Sequence, residues 1–471
     1  MQPTAAKNSV TIRNFGRNVT FSSQYHEQAS SEDEVLEILK RHQGRRVRAY
    51  GSLHSWSQVA ATDGVAVNIS QLNRIRLNAD GPDPTVTVEA GCQIKRLVAE
   101  LNLQGWTTPT LGLIMEQTIA GATATATHGS GRHCFSHYIR SLRLATYDTQ
   151  GNPVIREIAG GEELQAACCS LGMMGIVTEV VIPIRRQYSI EEHFGEYEEL
   201  GHVIAAESEY PLQQFYFIPW KWVYLAQHRR QSQASRSRTA PLYRAFWAWG
   251  MDHGLHWIII ALARWMPDPV CPLTFRYVLA NLVPRGWRVV DRSDRQLTMQ
   301  HQLYRHIETE LFVKGSHLQE MLDLTRWILQ RSAGRDCPGR DEWTEAIHHC
   351  GISSEFDRLK GGYRHHYPIC IRKVEADKGF ITMSGSDDNE AFYAVSFISY
   401  ARPGKREGFI QFSDVITQLS GYLLSTRPHW GKYFHRSAKT FQYLYPHYDK
   451  FMAIRDQMDP QNAFSPTETS P

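Results

Sequence analysis

Three short stretches concentrate residues that could do chemistry. GSLHSWS (51–57) sets His54 at the tip of a glycine and serine turn. A neutral imidazole there can act as a nucleophile near neutral pH, or bond a phosphate or the backbone. TIAGATATATHGSG (118–131) is built almost wholly of small residues. Its uncovered backbone N–H groups can converge on an anion as a nest. LGMMGIVTE (171–179) is a third glycine turn, placed just before a strand. None of the three has the strand, GxGxxG, helix context of a Rossmann site, and none is a GxxxxGK[ST] loop. The pattern predicts a pyrophosphate threaded between several loops of a non-Rossmann fold. Further along, YPICIR (367–372) puts Cys370 and Arg372 on one face of a strand by period-two spacing. His365 and His366 lack a third ligand at recognisable spacing, so no metal is expected.

The elements that must hold these residues are legible between residues 31 and 185. Ser31 and Glu34 have capping-box spacing ahead of the apolar stripe Val35, Ile38 and Leu39. Arg46 to Tyr50 reads as a short buried strand, and PTVTVEAG (84–91) alternates as a half-buried one. IKRLVAELN (94–102) then lines up Ile94, Leu97, Val98 and Leu101 on a helix face. GEELQAACCSLGMMGIVTEVVIPI (161–184) reads as helix, glycine loop and β-branched strand. Further helix (316–330) and strand (392–401) signals predict a second α+β domain, and RRQSQASRSRTA (229–240) reads as a mobile surface loop.

At 471 residues and 42% apolar content, the chain can fill the cores of two domains. A net charge of +3, without a long basic block interleaved with aromatics, excludes nucleic acid as an expected partner. Eight cysteines with no CxxC pair, and an N-terminus without an apolar signal core, fit reduced thiols in the cytoplasm. WAWGMDHGLHWIIIALARWMP (247–267) is apolar, but Asp252, His253 and His256 interrupt it well short of a span of about 20 residues. A buried core helix is the first expectation, and an interfacial helix in peripheral contact with a membrane the second.

GSLHS with TDG (62–64), AGATATATHGSG and LGMMGIVTEV resemble the three flavin loops of the vanillyl-alcohol oxidase family. RPHWGK (427–432) and YPHYDKFMAIRDQMDPQNAF (445–464) resemble the ends of its sugar-lactone and alditol oxidases. The resemblance implies an α+β fold: a two-subdomain FAD-binding domain over 12–185, an α+β substrate domain over 186–425, and a segment 426–471 returning to the flavin. It implies FAD contacts from Gly51, Ser52, Leu53, His54 and Ser55, with His54 as the covalent attachment point and Leu53 where many relatives have glycine. From the second loop it implies Ala120, Gly121, Ala122, Thr125, Thr127, His128, Gly129 and Gly131, and from the third Gly175, Ile176 and Val177. Cys370 stands where the family has glutamate in its Pro-x-Glu-x-Arg strand, while Arg372 is kept. Lys432 is implied as base or electrostatic anchor, His429 as shaping the site, and Glu310 as a further catalytic residue on a Glu-x-x-Val strand.

The implied reaction is oxidation of the CH–OH group of a sugar-lactone, alditol or related alcohol, with hydride passing to flavin N5 and electrons to oxygen or another acceptor. Because Cys370 removes a carboxylate, a less polar, non-sugar alcohol entering from a membrane is the alternative. A flavin-binding protein without turnover is the third reading.

Overall fold

The computed structural model describes residues 8–255, 257–258, 261, 282–299, 305–434 and 443–466; the rest of the apolar segment 247–267 lies outside them. Three sheets position the site. A parallel sheet holds, in spatial order, Tyr25–Gln28, Val65–Asn68 and Val47–Tyr50. Val65, Ala66 and Val67 of its middle strand are all buried, as a strand covered on both faces requires. The helix Glu32–Arg41 buries Val35, Ile38 and Leu39. Ser31 caps it by accepting from the Glu34 N–H at 3.2 Å. The reciprocal arm falls one residue early, because the Glu34 carboxylate accepts from the N–H and hydroxyl of Ser30.

An antiparallel five-stranded sheet follows, ordered Pro153–Ile158, Ser141–Tyr147, Ile176–Pro183, Thr85–Glu89, Ile75–Asn78. The helix Ile94–Leu103 presents its predicted stripe to this part of the core, where all four apolar residues are buried. Each such aliphatic side chain contributes about 2 kcal/mol by leaving water.

The largest sheet has eight antiparallel strands, ordered Val289–Arg292, Ser189–Tyr197, Val223–Ser232, Gln214–Ile218, Ile369–Val374, Phe392–Ser399, Ile307–Lys314, Arg427–Pro428. Period two gives it two unlike faces. Ile369, Ile371, Val395, Phe397 and Leu311 join one apolar core with the helices Leu318–Ser332 and Glu407–Leu424. The opposite face carries Gln214, Tyr216, Cys370, Arg372, Ser396, Glu308 and Glu310, and turns toward the glycine loops.

Three expectations change. Residues 229–232 are the end of the Val223–Ser232 strand, because buried Arg229 pairs with Glu192 on the adjacent strand at 2.5 Å. Within 118–131, residues Ile119–Ala124 form a short helix capped by the Thr118 hydroxyl, so part of that stretch is not open loop. The described part of 247–267 is no buried helix: Phe246–Leu255 is a π-helix, and Trp249 and Trp257 are exposed. Among the described residues no helix is long and apolar enough to cross a membrane, and all seven cysteines are free thiols.

Candidate active site

The three glycine turns meet around one cleft with roughly 1000 Å³ of empty space. Its walls include Gly51, Ser52, Leu53, His54 and Ser55 from the first turn, and Ala120, Gly121 and Thr125 from the second. Gly175 and Val177 come from the third, and His429 and Lys432 from the C-terminal segment. At two of their glycines the turns cannot carry a side chain. A Cβ on Gly51 would lie 2.4 Å from Thr118, and one on Gly175, at φ +146°, would lie 2.5 Å from the Ala145 carbonyl. Leu53 adopts φ +53°, the left-handed region that glycine occupies without penalty. Its carbonyl accepts from the Phe15 N–H at 2.9 Å, which holds the turn in that conformation.

Phe15 also stacks on His54, with ring centroids 4.8 Å apart and planes 17° off parallel. Burial lowers the His54 pKa to about 4, so the imidazole is neutral at pH 7. Its Nδ1 is buried without a hydrogen-bond partner. A buried, neutral, unpartnered ring nitrogen on a cavity wall fits a group that occupies the cavity and engages it. Side-chain-free turns fit the close approach of a dinucleotide backbone.

Arg48, which sequence reasoning missed, ties this wall together. Its buried guanidinium donates to the carbonyls of Gly172 at 3.1 Å and Phe464 at 2.7 Å, and also to Val59 and Leu171. Its sequence signal was a charged residue inside a buried strand.

Facing the loops, the large sheet presents two ion pairs. Lys432 Nζ lies 2.5 Å from the Glu308 carboxylate and 4.8 Å from the centroid of Trp56. Burial pushes the Glu308 carboxyl up, but Lys432 and His306 outweigh it, so the group is held down and ionised. Glu310, two residues on and therefore on the same face, accepts from the Ser396 hydroxyl at 2.6 Å. Arg372 Nη1 lies 3.7 Å from it, and His128 and His429 stand at 3.4 and 3.9 Å. Burial again opposes ionisation, and the flanking His128, Lys432 and His429 more than reverse it.

His429 is held near pKa 3 by burial. Its Nδ1 accepts from the Gly431 N–H, so its proton sits on Nε2, toward Glu310. The ligand atoms of His128, Glu310 and His429 lie within 4.8 Å of one another. Arg372 shares that same carboxylate, and its charge opposes a divalent cation there.

Cys370 and Arg372 occupy one strand face, as period two predicts. Burial raises the Cys370 thiol, which is therefore neutral at pH 7. Arg372 Nε donates to Gln214 at 3.1 Å. Burial acts against its charge, and the facing Glu310 and Glu308 carboxylates hold it. Arg372 and Gly129 line a second, much smaller pocket, and Glu310, facing Arg372 on that side and His429 on the other, stands between the two.

Six of the predicted contact residues do not reach the main cleft: His128 turns to Glu310, Gly129 lines the smaller pocket, and four more lie elsewhere. Ala122 and Ile176 are core side chains, and Thr127 is buried behind the turn. At Gly131 the N–H bonds to the Lys373 carbonyl at 2.8 Å, which turns that residue toward the large sheet. Glu308 was missed although it stands two residues before Glu310, because its partner Lys432 lies 124 residues away.

The fold and this cleft define an FAD-binding oxidoreductase. Residues 24–151 match the FAD binding domain family. Residues 196–468 match D-arabinono-1,4-lactone oxidase, and the chain belongs to that family. It is 44% identical over 454 residues to a long-chain alcohol oxidase from an uncultured marine euryarchaeote, covering 96% of this chain and 95% of the relative. It is 26% identical over 447 residues to an L-gulono-1,4-lactone dehydrogenase of Mycobacterium tuberculosis, covering 93% and 92%. Cholesterol oxidase from B. sterolicum shares the fold at TM-score 0.72 and 13% identity, over 99% of this chain and 97% of that one. The protein is an FAD-dependent enzyme that oxidises a CH–OH group.

Proposed function

We propose that the substrate is a long-chain, weakly polar alcohol. The observation that carries this is position 370, where a neutral, buried thiol replaces the carboxylate expected for binding a polyol. The 44% identity to a long-chain alcohol oxidase, against 26% to a lactone dehydrogenase, supports the same reading. In this reading residues 12–185 hold FAD, 186–425 form the substrate side and 426–471 return to the flavin. The enzyme is cytoplasmic, touches membrane through 247–267, and passes electrons to oxygen or another acceptor.

Gly51 to Ser55, Gly121 and Gly175 hold the cofactor, and His54 bonds it covalently through its unpartnered Nδ1. Bound FAD supplies the hydride acceptor. Lys432, paired with the Glu308 carboxylate, anchors the substrate oxygen as charge develops on it. Glu308 takes the hydroxyl proton as the carbonyl forms. Arg372, charged throughout, stabilises negative charge at the ring, and the Glu310 and Gln214 contacts orient it.

Two experiments test this. Anaerobic mixing with dodecan-1-ol should bleach the flavin faster than mixing with xylitol or L-gulono-1,4-lactone; the reverse order returns the enzyme to sugar substrates. Acid precipitation should leave the yellow colour in the pellet for the parent and release it for His54→Ala. Colour released from the parent removes the covalent link.

A further inference from the structure

His306 stands immediately before the strand Ile307–Lys314, so period two turns His306, Glu308 and Glu310 to one face. Its Nε2 lies 3.6 Å from the Glu308 carboxylate, on the same oxygen that meets Lys432. Glu308 therefore has a cation on one side and an imidazole on the other.

Three aromatic rings hold that imidazole. Trp56, Tyr400 and Phe15 have ring centroids 4.9, 5.6 and 6.1 Å from it, and the Trp56 Nε1–H donates to the His306 carbonyl at 2.8 Å. Phe15 is the ring that stacks on His54, and Trp56 the ring that Lys432 covers, so the cage joins both walls of the cleft. Such a cage would pack a phenylalanine equally well. What an imidazole adds is a nitrogen that can take up and release a proton beside a buried carboxylate.

Glu308 needs such a neighbour, because once protonated it accepts nothing more until that proton has left. The titratable groups that act on it are Lys432, His306 and Glu310. Lys432 is its ion-pair partner, and an ammonium has no lone pair to receive a proton. Glu310 faces Arg372, accepts from the Ser396 hydroxyl, and is as poor a proton acceptor as Glu308 itself.

We propose that His306 relays the substrate's hydroxyl proton from Glu308 to solvent and so resets the carboxylate for the next turnover. The inference rests on the reading of Glu308 as the group that takes this proton. The substrate O–H bond breaks as an O–H bond forms on Glu308; that bond breaks in turn as His306 gains an N–H. The imidazolium then gives the proton to water, which reaches a side chain that stays 9% exposed. The electrons leave separately, with the hydride. His306 acts through Glu308 and is thus a positioning residue.

In the full-length holoenzyme, His306→Gln keeps a hydrogen-bonding group beside Glu308 that carries no proton. With dodecan-1-ol and a dye as electron acceptor, its steady-state turnover should fall about tenfold, while the first anaerobic reduction of the flavin stays within about twofold of the parent. The solvent deuterium isotope effect on turnover should rise above the parental one. In His306→Ala, added imidazole should restore turnover, which lost packing alone would not allow. Parental turnover in His306→Gln overturns the relay. So does a first reduction slowed as much as turnover, with no imidazole rescue, since that marks a structural role. Either result, with Glu308→Gln still slowing flavin reduction, leaves Glu308 as the proton acceptor and removes His306 alone. Flavin reduction at the parental rate in Glu308→Gln sinks the acceptor reading and the relay with it.

Discussion

The two walls of the cleft are built on opposite principles. The loop wall has little charge at its surface and works by absence: glycines at 51, 121 and 175 leave backbone bare, and His54 is neutral. The sheet wall works by charge, with Glu308 against Lys432 and Glu310 against Arg372, flanked by the rings of His128 and His429. Bare backbone binds by shape and tolerates no added atoms. Buried charge instead tolerates no lost partner, because an unpaired ion in a low-dielectric site is far costlier than a matched pair. The loop wall should therefore fail when enlarged, and the sheet wall when one charge is removed.

The largest effect should come from Arg372→Met, slowing anaerobic flavin reduction about 10²–10³-fold while FAD stays bound. An unchanged reduction rate would remove Arg372 from the chemistry. Lys432→Met leaves Glu308 buried with only His306 beside it, so it should cost about 3–5 kcal/mol in denaturant unfolding. Adding Glu308→Gln should restore most of that stability and none of the rate. If the double variant is as unstable as the single, the pair is not the unit described.

On the other wall, Gly175→Ala forces a Cβ against the Ala145 carbonyl and should cost about 1–3 kcal/mol. FAD should be lost on gel filtration, whereas flavin reduction in the residual holoenzyme stays near the parental rate. A slow but fully loaded enzyme would blur the division between the walls.

Acid should separate the walls further. His54, His429 and His366 have folded-state pKa values lowered to about 4, 3 and 4 by burial. Below their ordinary pKa of about 6.5 the unfolded chain binds protons that the folded chain refuses. Stability should therefore fall as pH drops from about 6.5 toward 4, visible as a declining Tm. Because Glu308 is held down, the flavin reduction rate should stay level over that range. A rate rising steeply from pH 8 to 10 would instead identify a neutral Lys432 as the base. The smallest effect is expected from Leu53→Gly, which relieves a positive φ but loses side-chain packing, and should shift stability by no more than about 1 kcal/mol.

Much of this was legible in the chain itself. The glycine and small-residue turns, the helix faces at 35–39 and 94–101, the alternation at 86–88 and the shared face of Cys370 and Arg372 all depend on neighbours a few residues away. Local sterics and a period of two or 3.6 dictate them directly. The α+β character and the anion-binding loops followed from such local signals, and FAD from the family that those loops resemble.

The tertiary structure alone decided which groups share a charge. Glu310 meets Arg372 across the intervening strand Phe392–Ser399, and Glu308 meets Lys432 from the segment that follows the edge strand Arg427–Pro428. It also decided that Arg229 is a paired strand residue and not part of a loop, that Ala122 and Ile176 face a core and not the cofactor, and that Trp249 and Trp257 face outward. Whether a side chain meets a partner, a core or solvent is set by what packs against it from elsewhere in the chain, and no local pattern encodes that.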